Sequence, residues 1–232
     1  MKVASFECLI GTGLTIRSLA DEMILNRFDE DSQSGFDIER VTKTEISGFF
    51  LNRRTRRINI FKPNGASETL TSESVEKIGF NLSQENKLLL LFDPGYNARE
   101  FVSKMASVSR FKISLEPFFA KMDILSASLE ARIDKNQITK IFLKNVTFST
   151  GIVGSLAAKG NLPGAALAGV IGKMKGTVAR LEVSWKSERL LDEIIVMISE
   201  NGRFNIQKCD SSETARQIVT EILHLPTATP RK

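Results

Sequence analysis

Two stretches of this chain alternate apolar and polar side chains with period two, and that alternation constrains the fold more than any other feature. In Ile124 to Asp134, residues Leu125, Ala127, Leu129, Ala131 and Ile133 fall on one side. Ser126, Ser128, Glu130, Arg132 and Asp134 fall on the other. Thr177 to Lys186 repeats the pattern, setting Leu181, Val183 and Trp185 against Arg180, Glu182 and Ser184. Period two places successive side chains on opposite faces of a strand, so both stretches read as half-buried strands. Lys87 to Phe92 is a continuous apolar run, the pattern of a strand covered on both faces.

Around these the coarse reading is mixed. Val3 to Ile10 reads as a strand that Gly11-Thr12-Gly13 ends, and Thr15 to Phe28 has helical spacing. Asp29 to Gly35 reads as a polar loop. Glu45 to Leu51 and Arg57 to Phe61 read as two strands joined by a turn at Asn52-Arg53-Arg54-Thr55. The break Asp93-Pro94-Gly95-Tyr96-Asn97 suggests a domain boundary, with Asn97 capping a helix that runs to Ser107. Ile138 to Phe148 reads as a strand. The Gly/Ala-rich segment 151–176 reads as a short helix over Gly151–Lys159, a turn, and a second helix from near Gly164. Ser187 to Ser199 reads as a helix, or alternatively as a strand over Ile194–Ile198, and Ser211 to Leu223 as a helix. The expected fold class is α+β: two mixed domains with mainly antiparallel strands, 1–92 and 97–225, and a frayed tail 226–232.

Composition narrows the chemistry. With 42% hydrophobic residues, 6 Pro and 15 Gly in 232, the chain can bury a sizeable core. One His (His224) and two separated Cys (Cys8, Cys209) leave no zinc-ligand spacing and argue against a histidine-based triad. The two cysteines are most simply reduced thiols of a cytoplasmic protein, although a bridge between them stays open. No apolar run is long enough for a transmembrane helix, and the first residues lack the apolar core of a signal peptide.

Charge carries the positive signal. Residues 1–92 hold 12 Lys and Arg against 13 Asp and Glu, whereas residues 93–232 hold 20 against 14. Arg132, Lys135, Lys140, Lys144, Lys159, Lys173, Lys175 and Arg180 share one stretch with a single acid, Asp134. A field of one sign on this scale attracts polyanions, unless it only keeps a face solvated. A second concentration, Arg53, Arg54, Arg56 and Arg57, would sit at the expected turn. Guanidinium forks suit bidentate phosphate contact, though an exposed turn or internal ion pairs would also account for them. With one Trp and one Tyr, stacking platforms for single strands are sparse. Contact with duplex DNA through its phosphates is therefore the favoured reading.

Other motifs are weaker. Gly11-Thr12-Gly13 lacks the third glycine of a dinucleotide fingerprint and reads as a plain turn. Gly172-Lys173 lacks the earlier glycine and the following hydroxyl of a phosphate loop. Glu85-Asn86-Lys87 fits part of a magnesium-dependent nuclease motif, with Glu68, Glu73 or Glu76 as the upstream acid. Asp29-Glu30-Asp31 reads as a solvated loop rather than a cation site. No metal, cofactor or catalytic residue is expected. The alternatives to DNA binding are that nuclease, or an adaptor that binds anionic lipid or an acidic protein through the same surface.

From about residue 99 to 195 the order of features resembles the RexA family of the lambda-prophage exclusion system. The shared features are a helix after the strand break, Leu115-Glu116-Pro117, a basic strand, Ile152-Val153-Gly154-Ser155-Leu156-Ala157-Ala158, and the alternating strand through Val183-Ser184-Trp185-Lys186. The likeness covers under half of the chain and assigns no individual residue. It implies a non-enzymatic homodimer that binds duplex DNA and senses infection in an anti-phage response, together with a membrane-protein effector.

Overall fold

The computed structural model describes residues 1–63, 65, 67–130, 136–149, 151–160, 176–186 and 193–225. The fold is mixed, with antiparallel β-sheet as its larger part. Two compact units share it: Glu7–Glu116, and Met1–Phe6 with Pro117–Lys232. Strand β1 (Lys2–Ile10) supplies residues to both. The segment 97–116, placed after the break at Asp93–Asn97, belongs to the first of these units.

In the Glu7–Glu116 unit, helix α1 (Ile16–Leu25) follows a capping box in which Thr15 and Ser18 satisfy each other's backbone N–H groups. Strands β2 (Ser34–Val41), β3 (Glu45–Phe61), β4 (Ser67–Ser83) and β5 (Leu88–Phe92) follow one another in sheet order and lead to β1. All five residues of β5 are buried, as its unbroken apolar run requires. Helix α2 (Ala98–Val108) and strand β6 (Ile113–Pro117) complete the unit. Its core centres on Phe36, Phe50, Phe80 and Phe101, whose ring centroids lie 5.4 to 6.1 Å apart in tilted and edge-on contacts.

The expected turn at Asn52-Arg53-Arg54-Thr55 does not form. Strand β3 runs unbroken through it, paired residue by residue with β4 from Glu45↔Ser83 to Phe61↔Ser67. The acids of β4 supply the reason: Arg53 pairs with Glu73, and Arg54 and Arg56 with Glu76, so the clustered charge is relieved within the ribbon. Strand β2 pairs β3 only as far as Asn52, and β5 pairs β4 only as far as Gly79. Among the described strands, Arg53–Phe61 and Ser67–Val75 therefore pair only with each other, the Arg53 N–H alone also reaching the Gln33 carbonyl oxygen at 2.8 Å. They form a two-stranded arm of nine residue pairs, roughly 30 Å long at ~3.3 Å per residue.

In the second unit, helix α3 (Met122–Glu130) precedes β7 (Asn136–Ser149), β8 (Ile152–Lys159), β9 (Thr177–Trp185), β10 (Ile194–Ser199) and β11 (Arg203–Ile206). Helix α4 (Ser212–Leu223) closes the described part. The sheet order is β1-β11-β10-β9-β7-β8. One face buries Ile141, Leu143, Leu181, Val183, Val196 and Ile198. Helix α3 packs against β7 and β9, and α4 buries Ala215, Ile218, Val219 and Ile222.

Three expectations are corrected here. The alternating stretch from Ile124 is helical through Glu130, because Met122, Ser126 and Leu129 recur at helical spacing and turn together into the core. Its remainder, 131–134, lies outside the described residues. Gly151–Lys159 is not a helix. Gly151 turns at φ +84° and Ile152–Lys159 returns as the hairpin partner of β7. Over 194–199 the strand reading holds and the helix reading fails, with Ile194, Val196 and Ile198 buried at period two. The second helix expected from near Gly164 lies outside the described residues. Strand β9 and helix α4 occur where the periodicity places them.

Candidate nucleic-acid interface

The sheet face opposite α3 collects the basic residues of the second unit. On β7 the covered face takes Ile141 and Leu143, which leaves Lys140, Phe142 and Lys144 on the other side at period two. Register extends that side across the sheet. Lys140 is directly opposite Lys159 on β8, Phe142 is opposite Arg180 on β9, and Arg180 is opposite Ser199 on β10. On β11, Phe204 and Ile206 are buried, so Arg203 points with this basic set. Lys159, Arg180 and Arg203 are exposed, and Lys140 is half-buried.

The electrostatics of this face are unbalanced. Lys144 Nζ pairs with Glu200 at 2.6 Å. Among the described residues no ion pair reaches Lys140, Lys159, Arg180 or Arg203. Glu182 on β9 is directly opposite Lys140, as Lys159 is on β8, but its Oε1 accepts from Thr139 Oγ1 at 3.0 Å. Like charges directly opposite on antiparallel strands cost roughly 0.2–1 kcal/mol relative to neutral pairs. Lys140 and Lys159 make such a pair with no carboxylate between them. Bound phosphate oxygens would turn that repulsion into attraction.

The arginine cluster is different. Residues of β3 alternate faces, so Arg54 and Arg56 share one side of the arm and Arg53 and Arg57 the other. Arg54 is committed internally: it donates to Asn97 Oδ1 through Nε (3.1 Å) and Nη2, and reaches Glu100 at 3.2 Å and Glu76 at 3.6 Å. Asn97 is buried and uses its amide entirely in this network. Its Oδ1 also accepts from Asn52 at 3.2 Å, and its Nδ2 donates to Glu76. It thus precedes α2 without making a side-chain cap. Arg53 Nη2 donates to the Glu30 carbonyl at 2.7 Å and lies over the Phe28 ring. Arg56 pairs with Glu76 at 3.4 Å. Arg57 alone of the four has no ion pair among the described residues.

Of the expected contact residues, Lys140, Lys144, Lys159 and Arg180 therefore share one face of the second unit, while Arg53, Arg54, Arg56 and Arg57 lie on the arm of the first. Arg132, Lys135, Lys173 and Lys175 lie outside the described residues. Arg203 was not anticipated. The signal for it is Asn201-Gly202 ahead of Arg-Phe-Asn-Ile, a tight-turn dipeptide followed by alternation.

The remaining motifs fall into structural roles. Gly13 holds φ +81°, and a Cβ on Gly11 would meet the Lys112 carbonyl oxygen at 2.9 Å, so both glycines serve the turn. Glu85 sits exposed in the β4–β5 turn and Lys87 follows it at φ +50°. Of the acids upstream, Glu76 is engaged with Arg54, Arg56 and Asn97, and Glu68 and Glu73 lie farther along the arm. The pieces of the nuclease motif are thus not brought together. Asp29 Oδ1 accepts the backbone N–H groups of Asp31 and Ser32 and folds its own loop. No cluster of three or more metal-ligating side chains occurs among the described residues. Cys8 and Cys209 are free and buried, and burial pushes the Cys8 thiol up to about 12. His224 ends α4, its Nδ1 within 2.7 Å of the Thr220 carbonyl oxygen.

No helix among the described residues is long and apolar enough to cross a membrane. No protein-family model matches the chain, and no curated protein matches its sequence significantly.

Proposed function

We infer that this chain is a non-enzymatic duplex DNA-binding protein that contacts phosphates with little regard to base sequence. The observation that carries the reading is the directly opposed Lys140 and Lys159 beside Arg180, three cations on one sheet face that make no ion pair among the described residues, with Glu182 the one carboxylate opposite Lys140. Such a face releases condensed counterions when it meets a polyphosphate, so affinity falls steeply with salt. Arg203 extends the contact and Lys144 borders it. Arg57 on the arm is a further phosphate contact, whereas Arg53, Arg54 and Arg56 serve the arm itself. The resemblance to the RexA family supports placing this activity in the cytoplasm as a homodimeric sensor of phage infection, with a membrane-protein effector downstream.

The test is binding to an unmodified duplex by fluorescence anisotropy between about 50 and 200 mM salt, with magnesium present and the DNA examined afterwards on a gel. Saturable, salt-sensitive binding with intact DNA is expected, and reversal of Lys140, Lys159 and Arg180 to Glu abolishes it. Absence of binding at the lowest salt, or unchanged binding by the triple variant, overturns the reading. Cut DNA overturns its non-enzymatic part.

A further inference from the structure

The hairpin of β7 and β8 ends in an apolar tip that the sheet does not use. Strand β9 pairs with β7 only as far as Lys144↔Thr177. Beyond that point Val146, Thr147 and Ser149 pair with Gly154, Val153 and Ile152 alone among the described strands. Val146 is fully buried and anchors the base. At the end, Phe148, Ile152 and Val153 are 52%, 58% and 63% exposed, unusual positions for large apolar side chains. The pairing is irregular between Thr147 and Ser149, and the Phe148 ring lies over Gly154, where a Cβ would come within 3.1 Å of it. The missing side chain at Gly154 thus gives the ring a flat seat and holds it in place.

Charge selects the partner. From residue 136 to residue 160 the hairpin contains Lys140, Lys144 and Lys159 and no acid. The arm of β3 and β4 also exposes apolar residues, but Glu68, Glu73 and Glu76 offset its arginines and lysine. Among the described residues, only the β7–β8 hairpin combines an apolar tip with two strands free of acids, its Lys144 pairing outside the hairpin with Glu200. Lys144 lies four residues behind Phe148, about 13 Å along the strand at ~3.3 Å per residue, and Lys140 about twice as far. Val153 shares the face of Lys159 and Phe148 lies over Gly154 on the other face, so the lysines meet the backbone behind a tip that carries apolar side chains on both sides of the ribbon.

We propose that the β7–β8 hairpin enters the minor groove of duplex DNA and inserts Phe148, with Ile152 and Val153 beside it, as an apolar wedge between base pairs, kinking the duplex. The proposal rests on the DNA-binding reading above and adds to it a groove, a deformation and a preference for steps that unstack easily. Apolar wedges of this kind kink DNA by roughly 20–90° and act most readily at pyrimidine–purine steps.

The test uses the full chain and a duplex of about 20 base pairs, with 2-aminopurine beside a central TA step and a donor–acceptor pair at its ends. The wild type should raise 2-aminopurine fluorescence several-fold and bring the ends closer. Phe148→Ser combined with Val153→Ser should bind with the same salt slope and lose both signals. Phe148→Leu keeps an apolar wedge and should retain a reduced signal, which separates loss of the wedge from misfolding. A wild type that binds without unstacking or bending overturns the wedge and leaves phosphate binding standing. A wild type that binds no duplex overturns the reading beneath it. Signals unchanged in the double variant overturn the role of these side chains. Loss of binding to phosphatidylserine vesicles by that variant, with DNA signals intact, would reassign the tip to lipid.

Discussion

Replacing Lys140 and Lys159 together by Gln removes half of the four cations on the second unit's open face that make no ion pair among the described residues, the others being Arg180 and Arg203. Each neutralised phosphate contributes a slope of about −0.9 to the logarithm of affinity against the logarithm of salt. These four contacts alone then weaken binding about 150-fold between 50 and 200 mM salt, and the remaining two only about 12-fold. The measurable quantity is the change of slope, about 1.8, which holds whatever other contacts contribute. Replacing Lys159 alone by Gln, which leaves Lys140 opposite Glu182, should raise stability rather than lower it. Relieving a directly opposed like-charge pair is worth roughly 0.2–1 kcal/mol, and the gain should fade in 1 M salt, where screening acts over about 3 Å. Anisotropy titrations at several salt concentrations measure the first effect, and urea unfolding at low and high salt the second. An unchanged salt slope, or a variant less stable than the wild type at low salt, would refute the reasoning, because the lysines would then be held by interactions within the protein.

Other consequences follow from the same geometry. Phe101→Ala opens the centre of the four-ring cluster, where Phe101 is fully buried, and should cost about 3–5 kcal/mol in chemical denaturation. Asn97→Ala strands the buried Asn52 amide and one face of the Arg54 guanidinium, a loss of roughly 1–3 kcal/mol. It should also speed hydrogen exchange in the arm more than in β5. Because the Cys8 thiol is held at about 12 against an ordinary 9.0, the folded state keeps a proton that the unfolded state loses between those values. Stability present below pH 9 should therefore decline as pH rises through this window, by at most about 1.4 kcal/mol per unit. Cys8→Ala should abolish that part of the decline, as pH-dependent urea midpoints would show. Gly202 turns at φ +67°, and a Cβ there would press on the Phe118 carbonyl oxygen and Ser5 Oγ. Gly202→Ala should therefore lower the melting temperature.

Local pattern by itself determined the strand at Thr177–Trp185, the doubly buried strand at Leu88–Phe92 and the helices at Ile16–Leu25, Ala98–Val108 and Ser212–Leu223. In each, one buried face or run repeats over enough residues for a single period to dominate. It also placed Lys140 and Lys144 on one side of a strand, since that needs only period two. What faces what was decided by tertiary structure. The alternation from Ile124 reads as a strand, yet Met122–Glu130 is a helix. Its Leu, Met, Ala and Glu favour a helix, and the packing of α3 on β7 and β9 settles the matter. The run Arg53–Arg57 looks like a turn until Glu73 and Glu76 lie opposite it, and those acids are twenty residues away in sequence. Ile152–Lys159 is rich in small residues and becomes a strand because β7 offers it a partner edge. The unpaired juxtaposition of Lys140 and Lys159 is likewise a matter of register. Charge along the chain marks a basic region, but cross-strand pairing determines which cations are cancelled and which are left to meet a phosphate.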